Sequence, residues 1–261
     1  MTTIETYEPG TFCWLELATT DQPAATAFYT KLFGWEKQDN PLPDGGVYTM
    51  GLVGGRPAAA IAGQQEQERA QGIPPHWNLY IRSDDVDKDA ARASEAGGNI
   101  IAPPFDVLDL GRMAVIADPT GAVVSVWQSE QMPGFAVRGE HGSFSWPELM
   151  TADRERAAKF YGDVFGWTVE TLGEDMGNYM IFKRGEEQVA GSMTPPKESM
   201  PPFWMTYFEV SDADSVAAAA RESGGRVEME PMDIPNIGRF AVLTDPQGAV
   251  FAIIHTEGGA S

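Results

Sequence analysis

Two carboxylates are the residues of this chain best placed to do chemistry. Glu16 stands in Phe12-Cys13-Trp14-Leu15-Glu16-Leu17, and Glu148 in Phe144-Ser145-Trp146-Pro147-Glu148-Leu149. Each lies two residues beyond a tryptophan, so in a strand each glutamate shares a face with that indole. A carboxyl held against aromatic rings in a concavity loses hydration. That raises its pKa and suits it to general acid–base work. The same charge could instead hold a cationic ligand, with Trp14 and Trp146 stacking on a flat or cationic partner. A register slip of one residue would turn either glutamate outward and leave an ordinary strand carboxylate.

Other aromatic and polar residues recur around the pair. Tyr48 answers Tyr179, and Tyr80 and Tyr207 alternate with Asn78 and Met205 on matching strands. All six are candidate ligand-lining residues. Arg112 and Arg239 each follow a glycine, where they could offset the glutamates, bind a ligand oxygen or make structural salt bridges. Trp77 and Trp204 follow proline pairs and read as strand anchors. His76, His141 and His255 share no framework. Cys13 faces away from Glu16, as a small buried hydrophobe would.

These residues need elements to position them. Residues 12–35 return without a gap as residues 144–167, with half of the aligned positions identical, so the chain is a tandem duplication. In each copy a strand leads to an N-capping aspartate and a helix. In the first copy Asp21 precedes Ala25, Phe28, Tyr29 and Leu32 at helical spacing, and Gly34 ends the helix. Leu15 and Leu17 give that helix its apolar underside, which leaves Trp14 and Glu16 on the opposite, concave face.

The later elements repeat too. Strands are expected at 46–50 and 57–61, then a mobile polar connection over 64–75 and a strand at 77–81. Asp84 or Asp85 caps a helix that Gly97-Gly98 ends, and strands follow near Ile100 and at 112–117 and 123–128. Asp118-Pro119-Thr120-Gly121 is a turn signal, matched by Asp245-Pro246-Gln247-Gly248. Residues 129–143 join the halves. The second half repeats the scheme through strands at 179–182, 189–193 and 204–210, a Pro-rich loop at 194–202 and an alanine-rich helix from Val216. A frayed tail is expected after Thr256.

Composition narrows the partners. The chain has 261 residues and a net charge of −20, with a pI near 4.4, which disfavours a nucleic-acid phosphate backbone. Its acidity favours solubility and attracts cationic over anionic ligands. A single cysteine fits a reducing compartment. The start of the chain reads as no signal peptide, and no apolar run is long enough for a bilayer span. The expectation is a cytoplasmic protein without membrane partners, either a monomer of two fused domains or a homodimer.

A strand, a capping aspartate and a helix ending in Phe-Tyr-x-x-x-Phe-Gly-Trp, together with Asp85-Val86-Asp87 and the two Asp-Pro-x-Gly turns, resemble the vicinal oxygen chelate superfamily. That superfamily holds glyoxalase I, bleomycin-resistance proteins, fosfomycin-resistance enzymes and extradiol dioxygenases. The order of modules is similar to that of duplicated glyoxalase-like proteins of actinobacteria. The resemblance implies an α+β fold: four βαβββ modules forming two similar domains, over 8–130 and 140–257, each with a curved, cup-like mixed sheet.

It also implies where metal ligands would stand. Those positions hold Trp14, Asn78 and Ser125 in the first half and Trp146, Met205 and Ala252 in the second. None is His or Glu, so neither metal nor cofactor is expected, and Ser125 joins the ligand-lining candidates. The leading expectation is a metal-independent lyase, isomerase or cyclase acting on a small organic molecule, with Glu16 or Glu148 as the base. The alternative is a bleomycin-resistance-like protein that sequesters a toxic or cationic compound. A metal-dependent glyoxalase or hydroxylase ranks third. The first half, which keeps Asn78 and Ser125, is the expected active one.

Overall fold

The structure is a computed structural model, and it describes residues 6–43, 45–173, 178–197 and 199–257. The tail expected to fray after Thr256 lies, past Glu257, outside the described residues. The first half runs β1 (Phe12–Thr19), α1 (Gln22–Phe33), β2 (Glu36–Pro41), β3 (Val47–Val53), β4 (Arg56–Gly63), α2 (Glu66–Ala70), β5 (His76–Arg82), α3 (Val86–Glu95), β6 (Asn99–Val107), β7 (Gly111–Ala117) and β8 (Val123–Ser129). The second runs β9 (Ser143–Met150), α4 (Arg154–Phe165), β10 (Thr168–Thr171), β11 (Met180–Arg184), β12 (Glu187–Met193), β13 (Phe203–Glu209), α5 (Ala213–Glu222), β14 (Arg226–Ile234), β15 (Gly238–Thr244) and β16 (Val250–Thr256).

Each half is one eight-stranded mixed sheet, ordered β2-β3-β4-β1-β5-β8-β7-β6 and β10-β11-β12-β9-β13-β16-β15-β14. Within each module the opening strand lies parallel to the last, as β1 does to β4 and β5 to β8. The antiparallel pair β1–β5 then joins the two modules, and β9–β13 does the same in the second half.

Three helices start after the expected aspartates, and α5 begins at Ala213, three residues before the expected Val216. Asp21, Asp85, Asp153 and Asp212 each accept a hydrogen bond from the backbone N–H three residues on, a cap worth about 1 kcal/mol. Gly34 and Gly166 end α1 and α4 in the left-handed region, at φ 66° and 72°. Helix α1 meets α5, and α3 meets α4, so the helical faces of the two sheets pack together. One apolar core therefore runs through both halves, with the rings of Phe33, Trp35, Trp77 and Phe251 all meeting that of Phe208 at its centre.

The paired sequence signatures meet across that interface. Tyr29 of α1 donates to Asp245 in the turn between β15 and β16 (3.1 Å), and Trp77 donates to the Tyr29 oxygen (3.2 Å). The other oxygen of Asp245 collects the N–H groups of Gln247, Gly248 and Ala249. Its mirror joins Tyr161 to Asp118 (3.2 Å) and Trp204 to Tyr161 (2.9 Å). The tryptophans read as strand anchors therefore also hydrogen-bond the tyrosines that join the halves.

Two strands lie outside the sequence expectation. Segments β2 and β10 are almost wholly exposed edge strands. Sequences such as Glu-Lys-Gln-Asp-Asn-Pro bury no face and show no apolar alternation, as befits a protected edge. The connection expected to be mobile over 64–75 instead contains α2. Gln64, 3% exposed, pins it by donating from Nε2 to the carbonyls of Ile73 (2.9 Å) and Pro74 (3.2 Å). Among the described residues no helix is long and apolar enough to cross a membrane.

Candidate functional site

Strand β1 pairs on both sides, and the pairing brings the candidates together. Glu16 lies opposite Ala60 of β4 and Asn78 of β5, Trp14 opposite Tyr80, and Tyr80 in turn opposite Ser125 of β8. A register irregularity between Phe12 and Trp14 sends Phe12 into the interdomain core, where its ring meets that of Trp204. The second half repeats the register: Glu148 opposite Gly191 and Met205, Trp146 opposite Tyr207, and Tyr207 opposite Ala252.

Both glutamates lie beside a tryptophan–tyrosine hydrogen bond. Trp14 Nε1 donates to the Tyr48 hydroxyl (2.9 Å), so the Tyr48 O–H is free to donate onward. The hydroxyls of Tyr48 and Tyr80 lie beside Glu16 and favour its charged form, and Ser125 stands next to Tyr80. In the second half Trp146 donates to Tyr179 (3.1 Å), and Tyr207 donates to Glu148 Oε2 (2.7 Å) with Tyr179 as a further partner. Tyr179 crosses the backbone of Gly191, where a Cβ would overlap its hydroxyl, so only glycine fits there.

Electrostatics divide the two carboxyls from ordinary ones. Burial pushes Glu16 up from 4.5 to about 7. The tyrosine hydroxyls pull the other way, and the nearby Glu68 of α2 adds a smaller push upward. Burial likewise raises Glu148, against the donations of Tyr207 and Tyr179. The hydroxyls of Tyr48 and Tyr80 are held well above the usual phenol range by burial and by Glu16, so both stay protonated donors. Neither glutamate has a cationic partner among the described ion pairs.

Access separates the halves. Glu16 keeps part of its surface open to the concave face, alongside Asn78, Tyr48 and Tyr80. Glu148 is 3% exposed beneath Met205 and the tyrosines. The tryptophans are reversed. Trp14 is 2% exposed and packs on Phe135, a residue of the linker between the halves, so it supports Tyr48 and offers no face for stacking. Trp146 remains half-buried and lines the second concavity.

Arg112 and Arg239, expected as ligand-lining residues or structural salt bridges, are found in ion pairs. Arg112 binds Asp87 (2.7 Å) and Asp106 (2.7 Å), and Arg239 binds Asp214 (2.5 Å) and Asp233 (2.9 Å). Each is fully engaged in tying a helix to the outer strands, and neither lines the concave surface. Cys13 is buried, and burial pushes its thiol up to about 12, so it is inert at neutral pH.

Sequence reasoning missed the lid. Gln64, Glu68 and the rest of the α2 segment line the first cup, and Glu68 closes a capping box by accepting the Gln65 N–H (2.8 Å). Glutamate three residues after Gln65 was the available signal.

Comparison with known proteins follows the same division into halves. Residues 11–126 and 143–253 each match the model of the Glyoxalase/Bleomycin resistance protein/Dioxygenase superfamily. CFP32 of Mycobacterium tuberculosis (strain CDC 1551 / Oshkosh), provisionally named a glyoxylase, is 46% identical over 250 residues, covering 95% of each chain. The anthracycline biosynthesis protein DnrV of Streptomyces peucetius is 36% identical, covering 97% of this chain and 96% of its own. Among solved structures, the Mn(II)-bound glyoxalase from Novosphingobium aromaticivorans superposes with a TM-score of 0.66 at 16% identity, covering 97% of this chain and 84% of its own. At that identity the likeness concerns the fold alone.

Some of these folds hold a metal, so the donor set decides whether one fits here. The floor of each cup offers one carboxylate with phenols, the first adds an amide and a hydroxyl, and the other acidic side chains stand apart on the rims. Among the described residues there is no group of three or more His, Cys, Asp or Glu side chains close enough to share an ion. Zinc needs three or four such donors, and the other divalent ions of these folds are no less demanding. The residues present do not fit.

Proposed function

Because the chain belongs to the Glyoxalase/Bleomycin resistance protein/Dioxygenase superfamily, whose fold hosts many chemistries, we propose its function from the first cup itself. It is a metal-independent acid–base enzyme, a lyase, isomerase or cyclase acting on a small carbonyl compound, and Glu16 is the group that moves the proton. The observation that carries this reading is a partly open carboxyl on the concave face, beside the hydroxyls of Tyr48 and Tyr80 and in no described ion pair, whose pKa burial pushes up to about 7. A base with that pKa is half ionised at neutrality, where general catalysis is most effective.

The chemistry is balanced within the cup. Ionised Glu16 takes a proton from the carbon beside the carbonyl, and the bonding pair moves onto the carbonyl oxygen as an enolate. A hydroxyl of Tyr48 or Tyr80, turning from Glu16 as it is protonated, donates to that oxygen. Returning the proton at another carbon gives an isomer, expelling a β-substituent gives elimination, and attack by the enolate on a second carbonyl closes a ring. Asn78 and Ser125 orient the substrate, and the α2 segment excludes water.

The test is turnover of a carbonyl substrate by the Glu16→Gln variant, which keeps the shape of the side chain. Loss of about 10²–10⁴-fold in kcat is expected. In the unsubstituted chain the rate should rise with pH through a limb near 7. Tyr80→Phe removes a hydroxyl that lowers the Glu16 pKa, so it should move that limb to higher pH. Full activity in Glu16→Gln would reduce Glu16 to a structural carboxyl.

A further inference from the structure

The two sheets have diverged on both faces, Leu15 opposite Leu79 becoming Pro147 opposite Thr206 beneath the helices, and on the concave face the changes run from polar to apolar. On the helix-facing side Leu17 opposite Trp77 is repeated by Leu149 opposite Trp204. On the concave side Ala18 opposite His76 becomes Met150 opposite Phe203, and Asn78 beside Glu16 becomes Met205 beside Glu148. Ser125 beside Tyr80 becomes Ala252 beside Tyr207. Met113, in the matching place on β7, becomes Phe240 on β15. Three polar groups have thus given way to apolar ones, all facing the same concavity.

The replacements assemble into a second apolar cluster separate from the main core. Met150, Met205, Tyr207, Ala252 and Ile254 form it, with Trp146, Phe203, Phe240 and Val242 packed around. Such a cluster on the side away from the helices stabilises no contact between the halves. At its rim Met193 is 38% exposed and Ile237 is 42% exposed, in a chain whose surface is otherwise strongly acidic. Methionine side chains adapt to an irregular apolar shape, and Trp146, its N–H committed to Tyr179, presents a ring face with no polar demand. Glu148, sealed and held by two tyrosines, fixes that ring and its neighbours without presenting a charge.

We infer that the second cup is a binding site for a flat, uncharged, largely apolar molecule such as a fused aromatic ring system, held against Trp146 by Met150, Met205, Phe203 and Phe240. The site is distinct from the proton-transfer site at Glu16 and stands whether or not that residue turns over a substrate.

Fluorescence titration of the full chain with 1-aminoanthracene, a flat neutral probe that brightens in apolar surroundings, tests this. Saturable binding of one probe per chain is expected. The double variant Met205→Asn, Ala252→Ser, which restores the residues of the first cup, should weaken it at least tenfold. Glu16→Gln should leave it unchanged. Met193→Glu places a charge at the exposed rim without touching the core, and it should weaken binding even if the double variant fails to fold. No saturable binding, two equal sites per chain, or affinity indifferent to Met193→Glu would each overturn the inference.

Discussion

The pKa of Glu16 can be tested without knowing any substrate, because a displaced pKa is also a statement about stability. The unfolded chain carries this carboxyl at its ordinary value of 4.5, and the folded chain holds it at about 7. Below pH 4.5 both states are protonated and the group contributes nothing. Between 4.5 and 7 only the folded state keeps the proton, so the folded state loses ground as pH rises. At 1.36 kcal/mol for each pH unit, the loss accumulates to about 3 kcal/mol by pH 7 and stays constant above it. Glu16→Gln removes that titration and leaves the others in place, including that of Glu148. Urea unfolding of both proteins from pH 4.5 to 8.5 should therefore give a difference that moves in favour of the variant by about 3 kcal/mol across the window. The variant also changes the polar contacts with the Tyr48 and Tyr80 hydroxyls, at about 1 kcal/mol each. That offset is a baseline, nearly independent of pH, so the slope remains diagnostic. A flat difference, or one that favours the unsubstituted chain as pH rises, would refute the desolvation argument and with it the case for Glu16 as a base tuned to neutrality.

Two further outcomes follow from other parts of the structure. Tyr29→Phe leaves an oxygen of buried Asp245 and the N–H of Trp77 without their partner; it should cost about 1–3 kcal/mol in urea unfolding, and a cost below about 0.5 kcal/mol would deny the interdomain bond a structural role. Arg112→Ala, which cuts two exposed ion pairs outside the cup, should leave kcat/KM and probe affinity unchanged and the unfolding midpoint only slightly lowered; a marked rise in KM would return Arg112 to the binding site.

The helix-facing side of each sheet was legible in the sequence because its constraints are local and doubled. Capping aspartates, helix-ending glycines and the apolar face of Leu15 and Leu17 all act within a few residues, and each has a counterpart one repeat later. The face of Glu16 followed from strand alternation alone, since its neighbours on either side must lie under α1. What failed was anything decided by residues distant in the chain. Trp14 alternates correctly onto the Glu16 face, yet Phe135 from the linker covers it. Arg112 and Arg239 sit beside glycines on the right strands, but acidic residues of the helices and outer strands claim them first. Exposed edge strands carry no apolar period, so β2 and β10 were invisible.

The contrast between the faces also bears on how the duplicated chain could change its chemistry. The helix-facing residues of both sheets share one core, and Tyr29 and Tyr161 each reach into the other half, so a substitution there disturbs both domains at once. Asn78, Ser125, Met205 and Ala252 stand opposite strands of their own half only. Asn78 and Met205, or Ser125 and Ala252, can therefore diverge without cost to the opposite half, while the Trp–Tyr–Glu–Tyr framework beneath them stays the same. In the first cup that framework sets the pKa of an accessible carboxyl; in the second it braces an apolar wall. The same four residues serve both purposes because the outcome depends on what covers the glutamate, open space beside Asn78 in one case and Met205 in the other.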